Sequence, residues 1–122
     1  MKNILYVEDD AINALVVKKL LNNTFNITHV PDGESCMSLV SQRYFDAILM
    51  DINLGRGKMD GVETLHKLRE ETRQAPYIVI AVTSYALPED RERFLQEGFD
   101  EYMAKPVERQ RLIDLLIQFV GR

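Results

Sequence analysis

Short, almost uninterrupted apolar runs recur along the chain and predict the strands of a sheet. They occupy residues 4–7, 27–30, 47–50, 77–82 and 101–104. Runs without polar alternation indicate strands that are buried on both faces, as in a parallel sheet. The fourth run is the strongest because it is rich in β-branched residues.

Segments with helical spacing of apolar residues separate these runs. One apolar face of the first segment consists of Ile12, Leu15, Val16 and Leu20. We expect this face to pack on the sheet. The final segment has the clearest pattern, with apolar residues at positions 112, 115, 116, 119 and 120.

The alternation of strand and helix, repeated five times, predicts a (βα)5 protein of the α/β class. Right-handed crossovers give a doubly wound, five-stranded parallel sheet with helices on both faces, which is a three-layer sandwich. The chain has 122 residues, and one domain typically has roughly 100–200. We therefore predict a single domain over residues 1–122.

Composition narrows the class of protein. The chain is 46% hydrophobic and 28% charged, as in ordinary globular proteins. Its net charge of -4 argues against a dedicated nucleic-acid binder. One cysteine, Cys36, excludes an internal disulfide framework and fits a reducing compartment. No leader and no membrane-spanning apolar run is evident, so we expect a cytoplasmic protein without membrane insertion.

Polar side chains follow four of the five predicted strands. In chain order they are Glu8, Asp9 and Asp10, then Asp51, then Thr83 and Ser84, and finally Lys105. The carboxyl ends of parallel strands meet at one edge of the sheet, where ligands of such folds bind. We therefore expect these side chains to converge.

The acids of this edge predict a magnesium site. Converging carboxylates repel one another, and Mg²⁺ prefers oxygen ligands, usually one or two carboxylates with waters and phosphate oxygens. Asp9 and Asp51 fit direct ligands, and Glu8 fits a ligand through water. The alternative is that the acids after the first strand only cap a helix, but capping does not explain Asp51.

Lys105 indicates an anion at the same edge, since an ammonium would otherwise repel the cation. Lysine, Mg²⁺ and a hydroxyl around one carboxylate would bind a phosphoryl group while the carboxylate attacks it. Aspartate is a known nucleophile of this kind. A cis bond to Pro106 would aim Lys105 into the cleft; the alternative is an ordinary surface lysine.

Five motifs at the strand–helix junctions carry a family resemblance. They are Val7-Glu8-Asp9-Asp10, Met50-Asp51-Ile52-Asn53, Asp60-Gly61, Thr83-Ser84 and Tyr102-Met103-Ala104-Lys105-Pro106. In this order they resemble the receiver domain of two-component response regulators, over essentially the whole chain. The resemblance implies a flavodoxin-like fold and a cytoplasmic phosphoprotein of two-component or phosphorelay signalling. It implies that the protein is not an enzyme and catalyses only its own phosphorylation and slow dephosphorylation.

The resemblance also implies the chemistry of the acidic residues. Asp51 would accept a phosphoryl group from a phosphohistidine of a sensor histidine kinase or histidine phosphotransfer protein. Glu8, Asp9, Asp51 and the backbone carbonyl of Asn53 would hold Mg²⁺.

Further implied roles concern the switch. Lys105 would contact the phosphoryl oxygens and would be joined to Pro106 by a cis bond. Thr83 would swing inward to the phosphoryl group, and Tyr102 would follow it. This movement would remodel the face of the fourth helix, fifth strand and fifth helix for docking of an unknown downstream protein or for onward phosphotransfer.

The loop after Asp51 departs from the family pattern. Gly61 stands ten residues after Asp51 instead of the usual eight, and glycines replace the usual proline. We expect a more flexible loop. Its Arg56 and Lys58 are either solvated charges or contacts to the phosphoryl group or its donor.

Two residues after the fourth strand would modulate the site. Ser84 replaces the commoner alanine and would narrow access to the cleft. Tyr85 would shield the phosphoryl group from water, which gives the hypothesis of a long-lived aspartyl phosphate. We interpret His29, in a strand, and His66, on a helix, as structural residues rather than phosphodonors or metal ligands.

Two other functions stay open. A haloacid-dehalogenase-like phosphatase also uses an aspartate nucleophile and Mg²⁺, but it needs an acid/base two residues later, where this chain has Asn53. A phosphorylation-independent interaction module would not need Asp51, Thr83 and Lys105 together.

Overall fold

The computed structural model describes residues 1–55, 57–71, 77–84 and 87–121. Within these residues five strands alternate with five helices. Their bounds are β1 Asn3–Val7, α1 Ala11–Leu21, β2 Asn26–Val30, α2 Gly33–Val40, β3 Ala47–Met50, α3 Gly61–Glu71, β4 Val79–Thr83, α4 Pro88–Glu97, β5 Glu101–Ala104 and α5 Arg109–Val120. The predicted (βα)5 order is confirmed.

The strands form one parallel sheet in the order β2-β1-β3-β4-β5. The chain runs outward in one direction from β1 to β2 and in the other from β3 to β5, so the strand order reverses beside β1. The register aligns Val7 with Val30 on one side and with Met50 on the other. The residues that follow β1 and β3 are therefore neighbours at the carboxyl edge, where doubly wound folds bind ligands.

Two apolar cores cover the two faces of the sheet. On one face Leu5 and Val7 pack with side chains of α2, α3 and α4. On the other face Ile4 and Tyr6 pack with α1 and α5. All four residues of β3 are fully buried, as expected of a strand that is covered on both faces. The prediction is wrong for the outer strands, since β2 has no buried residue and Met103 is the buried residue of β5.

The apolar face predicted for α1 is wrong. The residues of α1 that are buried are Ala14, Val17 and Leu21, whereas Ile12, Leu15 and Val16 are 74%, 54% and 51% exposed. Because α1 is apolar almost all round, several faces satisfy the helical period, and the small Ala14 side chain lets the helix approach the sheet. Leu20 is partly buried against the core.

None of the helices in the described ranges is long and apolar enough to cross a lipid bilayer.

Gly61 lets α3 start directly against the end of β3. Its N–H donates to the Ile52 carbonyl at 2.8 Å. A Cβ atom at position 61 would lie 2.8 Å from the Ile52 Cα and would collide with the Asp51 carbonyl oxygen. Since backbone cannot rotate away as a side chain does, a larger residue must displace the chain that carries Asp51.

We expect Gly61→Ala to destabilise the fold by roughly 1–3 kcal/mol, the usual cost of overpacking. Urea unfolding measures this change. Gly57→Ala gives a comparison of another kind, because nothing lies within 4 Å of a Cβ added there and its cost is backbone strain at a φ of +76°. The collision account is wrong if Gly61→Ala leaves the free energy of unfolding unchanged.

Candidate functional site

A cleft of about 690 Å³ opens at the carboxyl edge of the sheet. Its lining includes Glu8, Asp9, Asp10, Asn13, Asp51, Asn53, Gly55, Thr83, Ser84 and Lys105. Residues that are far apart in sequence meet here because the segments after four of the five strands line the cleft. The convergence expected of the polar residues after the strands is therefore observed.

Three acids form the floor and rim of the cleft. Glu8 is fully buried, Asp51 is 6% exposed, and Asp9 is exposed. One carboxylate oxygen from each lies within 4.8 Å of the others. Such an all-oxygen cluster suits a hard divalent cation.

One oxygen of this cluster also supports the fit to a cation. Glu8 Oε2 is buried and has no hydrogen-bond partner among the described residues. A buried carboxylate oxygen without a partner is costly. A bound Mg²⁺ or one of its waters would satisfy it, so the residues present fit the ion.

Lys105 bridges the two buried acids. Its Nζ donates to Glu8 Oε1 at 2.7 Å and to Asp51 Oδ2 at 3.2 Å. Its backbone N–H donates to the Thr83 carbonyl at 2.8 Å, which holds the end of β5 beside the end of β4. The Lys105–Pro106 peptide bond is cis.

The two buried acids have pKa values that move in opposite directions. Burial and the neighbouring Glu8 raise the pKa of Asp51 to about 7, against the pull of Lys105. Burial acts to raise the pKa of Glu8, but its interactions with Asp51 and Lys105 outweigh burial and lower it. In the absence of a cation, Asp51 therefore holds a proton in preference to Glu8.

The pKa of Lys105 follows from the same cluster. Burial acts to lower it, but hydrogen bonds and charge from Glu8 and Asp51 outweigh burial and raise it. Lys105 therefore stays an ammonium and supplies the positive charge between the two carboxylates.

The loop after β3 passes beside Asp9. Asn53 is exposed at the cleft, and its side-chain Oδ1 accepts from the Gly55 N–H at 3.4 Å. Gly55 has a φ of +103°, and a Cβ there would lie 3.7 Å from Asp9 Oδ2. The residues proposed to hold a cation thus come from two loops that face each other.

The residues implied in a switch lie at the ends of β4 and β5. Thr83 is 1% exposed and lines the cleft together with the exposed Ser84. Tyr102 is half-buried outside the cleft, and its ring stacks on Phe94 of α4 at 6.0 Å between centroids.

One predicted modulating residue, Lys58, lies away from the cleft. Lys58 is 56% exposed, and its Nζ lies 3.9 Å from Asp32 Oδ2, in the loop after β2. The Asp32 carboxylate offers Lys58 a partner that is remote in sequence. Arg56 and Tyr85 lie outside the described residues.

Sequence reasoning missed two partners of Glu8. The Tyr6 hydroxyl donates to Glu8 Oε1 at 3.3 Å, and His29 Nε2 lies 2.6 Å from the Glu8 carbonyl oxygen. The contact between Tyr6 and Glu8 could have been predicted, because Tyr6 lies within a buried strand and a buried hydroxyl needs a hydrogen-bond partner. No sequence signal pairs His29 with Glu8.

We expect Asp51→Asn to stabilise the cation-free protein increasingly as the pH rises. Folding raises the pKa of Asp51 from 3.8 to about 7, so between these values the folded state binds more protons than the unfolded state, and its stability falls with pH. Asparagine does not titrate. Urea unfolding in EDTA at about pH 5 and about pH 8 measures the difference.

Asp114→Asn is the control for this experiment, because it makes the same change at an exposed position of α5 that does not line the cleft. Equal effects of Asp51→Asn at both pH values contradict the prediction.

Comparison with known proteins identifies the family. The sequence model of the response regulator receiver domain matches residues 4–117. The chain is 32% identical over 123 residues to the polar-differentiation response regulator DivK of Brucella ovis, with 98% of this chain and 97% of DivK aligned.

Longer relatives match as well. The signal transduction histidine-protein kinase BarA of Shigella flexneri is 35% identical over 120 residues, which cover 95% of this chain and 12% of BarA. The sensor protein GacS of Pseudomonas syringae pv. syringae is 28% identical, with 13% of its length aligned. The chain thus spans about an eighth of the length of these curated relatives.

A solved structure shares the fold and the cleft. The receiver domain of sensor histidine kinase PA1611 from Pseudomonas aeruginosa PAO1 is 35% identical, with a TM-score of 0.83 and coverage of 99% of this chain and 98% of that one. That crystal structure has a magnesium ion coordinated in its active site cleft. From the family match and these relatives, this chain belongs to the response regulator receiver domains of two-component and phosphorelay systems.

Proposed function

We propose that Asp51 is the phosphoacceptor of this receiver domain and takes its phosphoryl group from a phosphohistidine in a Mg²⁺-dependent reaction. The observation that carries the proposal is the position of Asp51, which is buried at the cleft beside the Lys105 ammonium and within a cluster that includes the carboxylates of Glu8 and Asp9. In the transfer, a bond forms between an Asp51 carboxylate oxygen and phosphorus. The bond from phosphorus to the donor's histidine nitrogen breaks.

The residues around Asp51 would have different roles in the phosphoryl transfer. Mg²⁺ held by Glu8, Asp9, Asp51 and the Asn53 carbonyl would neutralise the phosphoryl oxygens. Lys105 keeps a positive charge beside Asp51, which favours the ionised, nucleophilic carboxylate. It is also placed to contact a phosphoryl oxygen after transfer, as an ammonium commonly does.

A switch follows from the added charge. A phosphoryl group brings about -1.5 to -2 charges and three strong acceptor oxygens. The Thr83 hydroxyl at the cleft would hydrogen-bond one of them only in the phosphorylated state, which biases an existing equilibrium between two conformations. Tyr102 lies two residues before the end of β5. It would carry the change to the face of α4, β5 and α5.

We propose a sensor histidine kinase or a histidine phosphotransfer protein as the phosphodonor, and docking on the face of α4, β5 and α5 as the output. The exposed apolar side chains of α1 mark the surface for the donor, since α1 begins at the cleft and its Asn13 lines it. Nucleic acid is not a direct partner, because the net charge is -4.

The proposed compartment is the cytoplasm. Cys36 is buried as a free thiol, and burial raises its pKa to about 12. A lone, inert thiol of this kind is typical of a protein in a reducing environment.

Enzymatic turnover of external substrates is not part of the proposal. A phosphatase that uses an aspartyl intermediate needs a residue that transfers protons near the nucleophile, and Asn53 cannot do so. Catalysis is limited to the chain's own phosphorylation and slow dephosphorylation.

We expect one phosphoryl adduct by intact-mass spectrometry after incubation with a small phosphodonor and Mg²⁺. The adduct should be labile to base, absent without Mg²⁺ and absent in Asp51→Asn. Asp114→Asn is the matched control and should be labelled like the wild type, since Asp114 is exposed on α5 and does not line the cleft. Failure to form any adduct would favour a phosphorylation-independent interaction module, and multiple turnover of phosphomonoesters would favour a phosphatase.

For the donor surface, we expect Leu15→Glu to slow phosphotransfer from a phosphorylated histidine phosphotransfer domain that labels the wild type, by about tenfold or more. Labelling by a small phosphodonor should not change, because Leu15 does not line the cleft. Tyr44→Glu is the control, since Tyr44 is 70% exposed but precedes β3 at the opposite edge of the sheet. Equal transfer rates for wild type and Leu15→Glu would exclude this surface of α1.

A further inference from the structure

Glu8 is held from three sides by groups that lie outside the cleft. Its N–H donates to the Val30 carbonyl at 3.0 Å, and its carbonyl oxygen lies 2.6 Å from His29 Nε2. Its carboxylate Oε1 accepts from Tyr6 at 3.3 Å. The backbone and the side chain of one residue are thus both anchored by β1 and β2.

The contact with His29 extends the bonding between the two strands beyond their last pair. The pairing of β1 and β2 ends at Val7 and Val30, and the next backbone bond runs from the Glu8 N–H to the Val30 carbonyl. Because a carbonyl oxygen only accepts, His29 Nε2 carries the hydrogen of the contact. A side chain therefore continues the ladder at the peptide that joins Glu8 to Asp9.

Tyr6 contacts the side-chain carboxylate of Glu8. Its side chain lies on the same face of β1 as that of Glu8, as the alternation of a strand requires, and its ring lies 6.3 Å from the His29 ring between centroids. Together with Lys105 it engages Oε1. The buried Oε2 is then left for a cation or its water.

We propose that His29 and Tyr6 are positioning residues that fix Glu8 and the adjoining Asp9 peptide, and thereby set the affinity of the cleft for a divalent cation. The inference rests on the proposed function, in which these acids hold Mg²⁺. Neither residue touches the reacting atoms. Their effect comes from preventing rotation of the Glu8 carboxylate and displacement of the loop after β1, as partners behind metal ligands do.

The test measures cation binding directly in the EDTA-treated full chain. Mn²⁺ is the probe, followed by loss of the free-ion EPR signal, and Mg²⁺ is titrated in as competitor. We expect His29→Leu to weaken binding of both ions by about tenfold, the lower end of the usual effect of such partners. His29→Gln, whose amide N–H reaches as far as Nε2, should restore binding. Tyr6→Phe should weaken it in the same direction.

Two controls separate positioning from a general loss of stability. His66→Leu makes the same change on the exposed surface of α3, where His66 pairs with Glu97 at 2.9 Å. Tyr77→Phe removes a hydroxyl from a buried tyrosine that precedes β4, at the opposite edge of the sheet. Both should bind Mn²⁺ like the wild type. Urea unfolding in EDTA shows which variants have lost stability.

The outcomes are distinct. Unchanged cation affinity in both His29→Leu and Tyr6→Phe overturns the inference, even if their stability falls, and leaves the proposed function intact. A weakening that His29→Gln does not rescue overturns the role of the N–H donor. Failure of the wild type to bind Mn²⁺ or Mg²⁺ overturns the proposed function, and the inference with it.

Discussion

The ammonium of Lys105 lies between two buried carboxylates, those of Glu8 and Asp51. The order of the strands brings these three residues together. Glu8 and Asp51 are neighbours because β1 and β3 are paired in register. Lys105 follows β5, two strands beyond β3, and the order β1-β3-β4-β5 brings it to the same edge of the sheet as both acids. Burial of like charges costs several kcal/mol per ion without a counter-charge. One ammonium offsets only part of the charge of the cluster, because Asp9 adds a third carboxylate. The residual negative charge makes the cleft receptive to a cation.

The same strands connect the cleft with a distant surface. Lys105 is bonded through its backbone to Thr83, and the register sets Tyr102 beside Ala81 on β4. The Tyr102 ring stacks on Phe94, which in turn meets Phe99 edge-on at 6.0 Å. In the proposed switch, a displacement of Thr83 would reach β5 through the backbone of Lys105 and α4 through the stacked rings of Tyr102 and Phe94. By this short path, one added phosphoryl group would alter packing on the face of α4, β5 and α5.

The pattern of the sequence was sufficient for the sheet and for the convergence of Glu8, Asp9, Asp51, Thr83 and Lys105, because both follow from a general rule. Buried parallel strands are apolar throughout, and their carboxyl ends share an edge. The buried face of α1 could not be predicted in this way, since apolar residues surround the helix and only its fit to the sheet selects Ala14 and Val17. The pairing of Lys58 with Asp32 depends on the paths of two loops, and the contact of His29 with Glu8 depends on which residue of β2 lies beside the end of β1. Residue spacing carries no information on either.

The two buried acids differ in the contacts that hold them and in the direction of their pKa shifts. This difference matches their proposed roles. Glu8 is anchored through its N–H, its carbonyl and one carboxylate oxygen, and its lowered pKa keeps it charged. Asp51 has its raised pKa near 7 and a side-chain contact to Lys105 at 3.2 Å. A carboxyl with a pKa of about 7 is partly protonated at neutral pH, and its protonated form is a poor nucleophile. Positive charge added beside the fixed Glu8 carboxylate favours ionised Asp51. The cluster would thereby link the reactivity of the proposed phosphoacceptor to the presence of a cation.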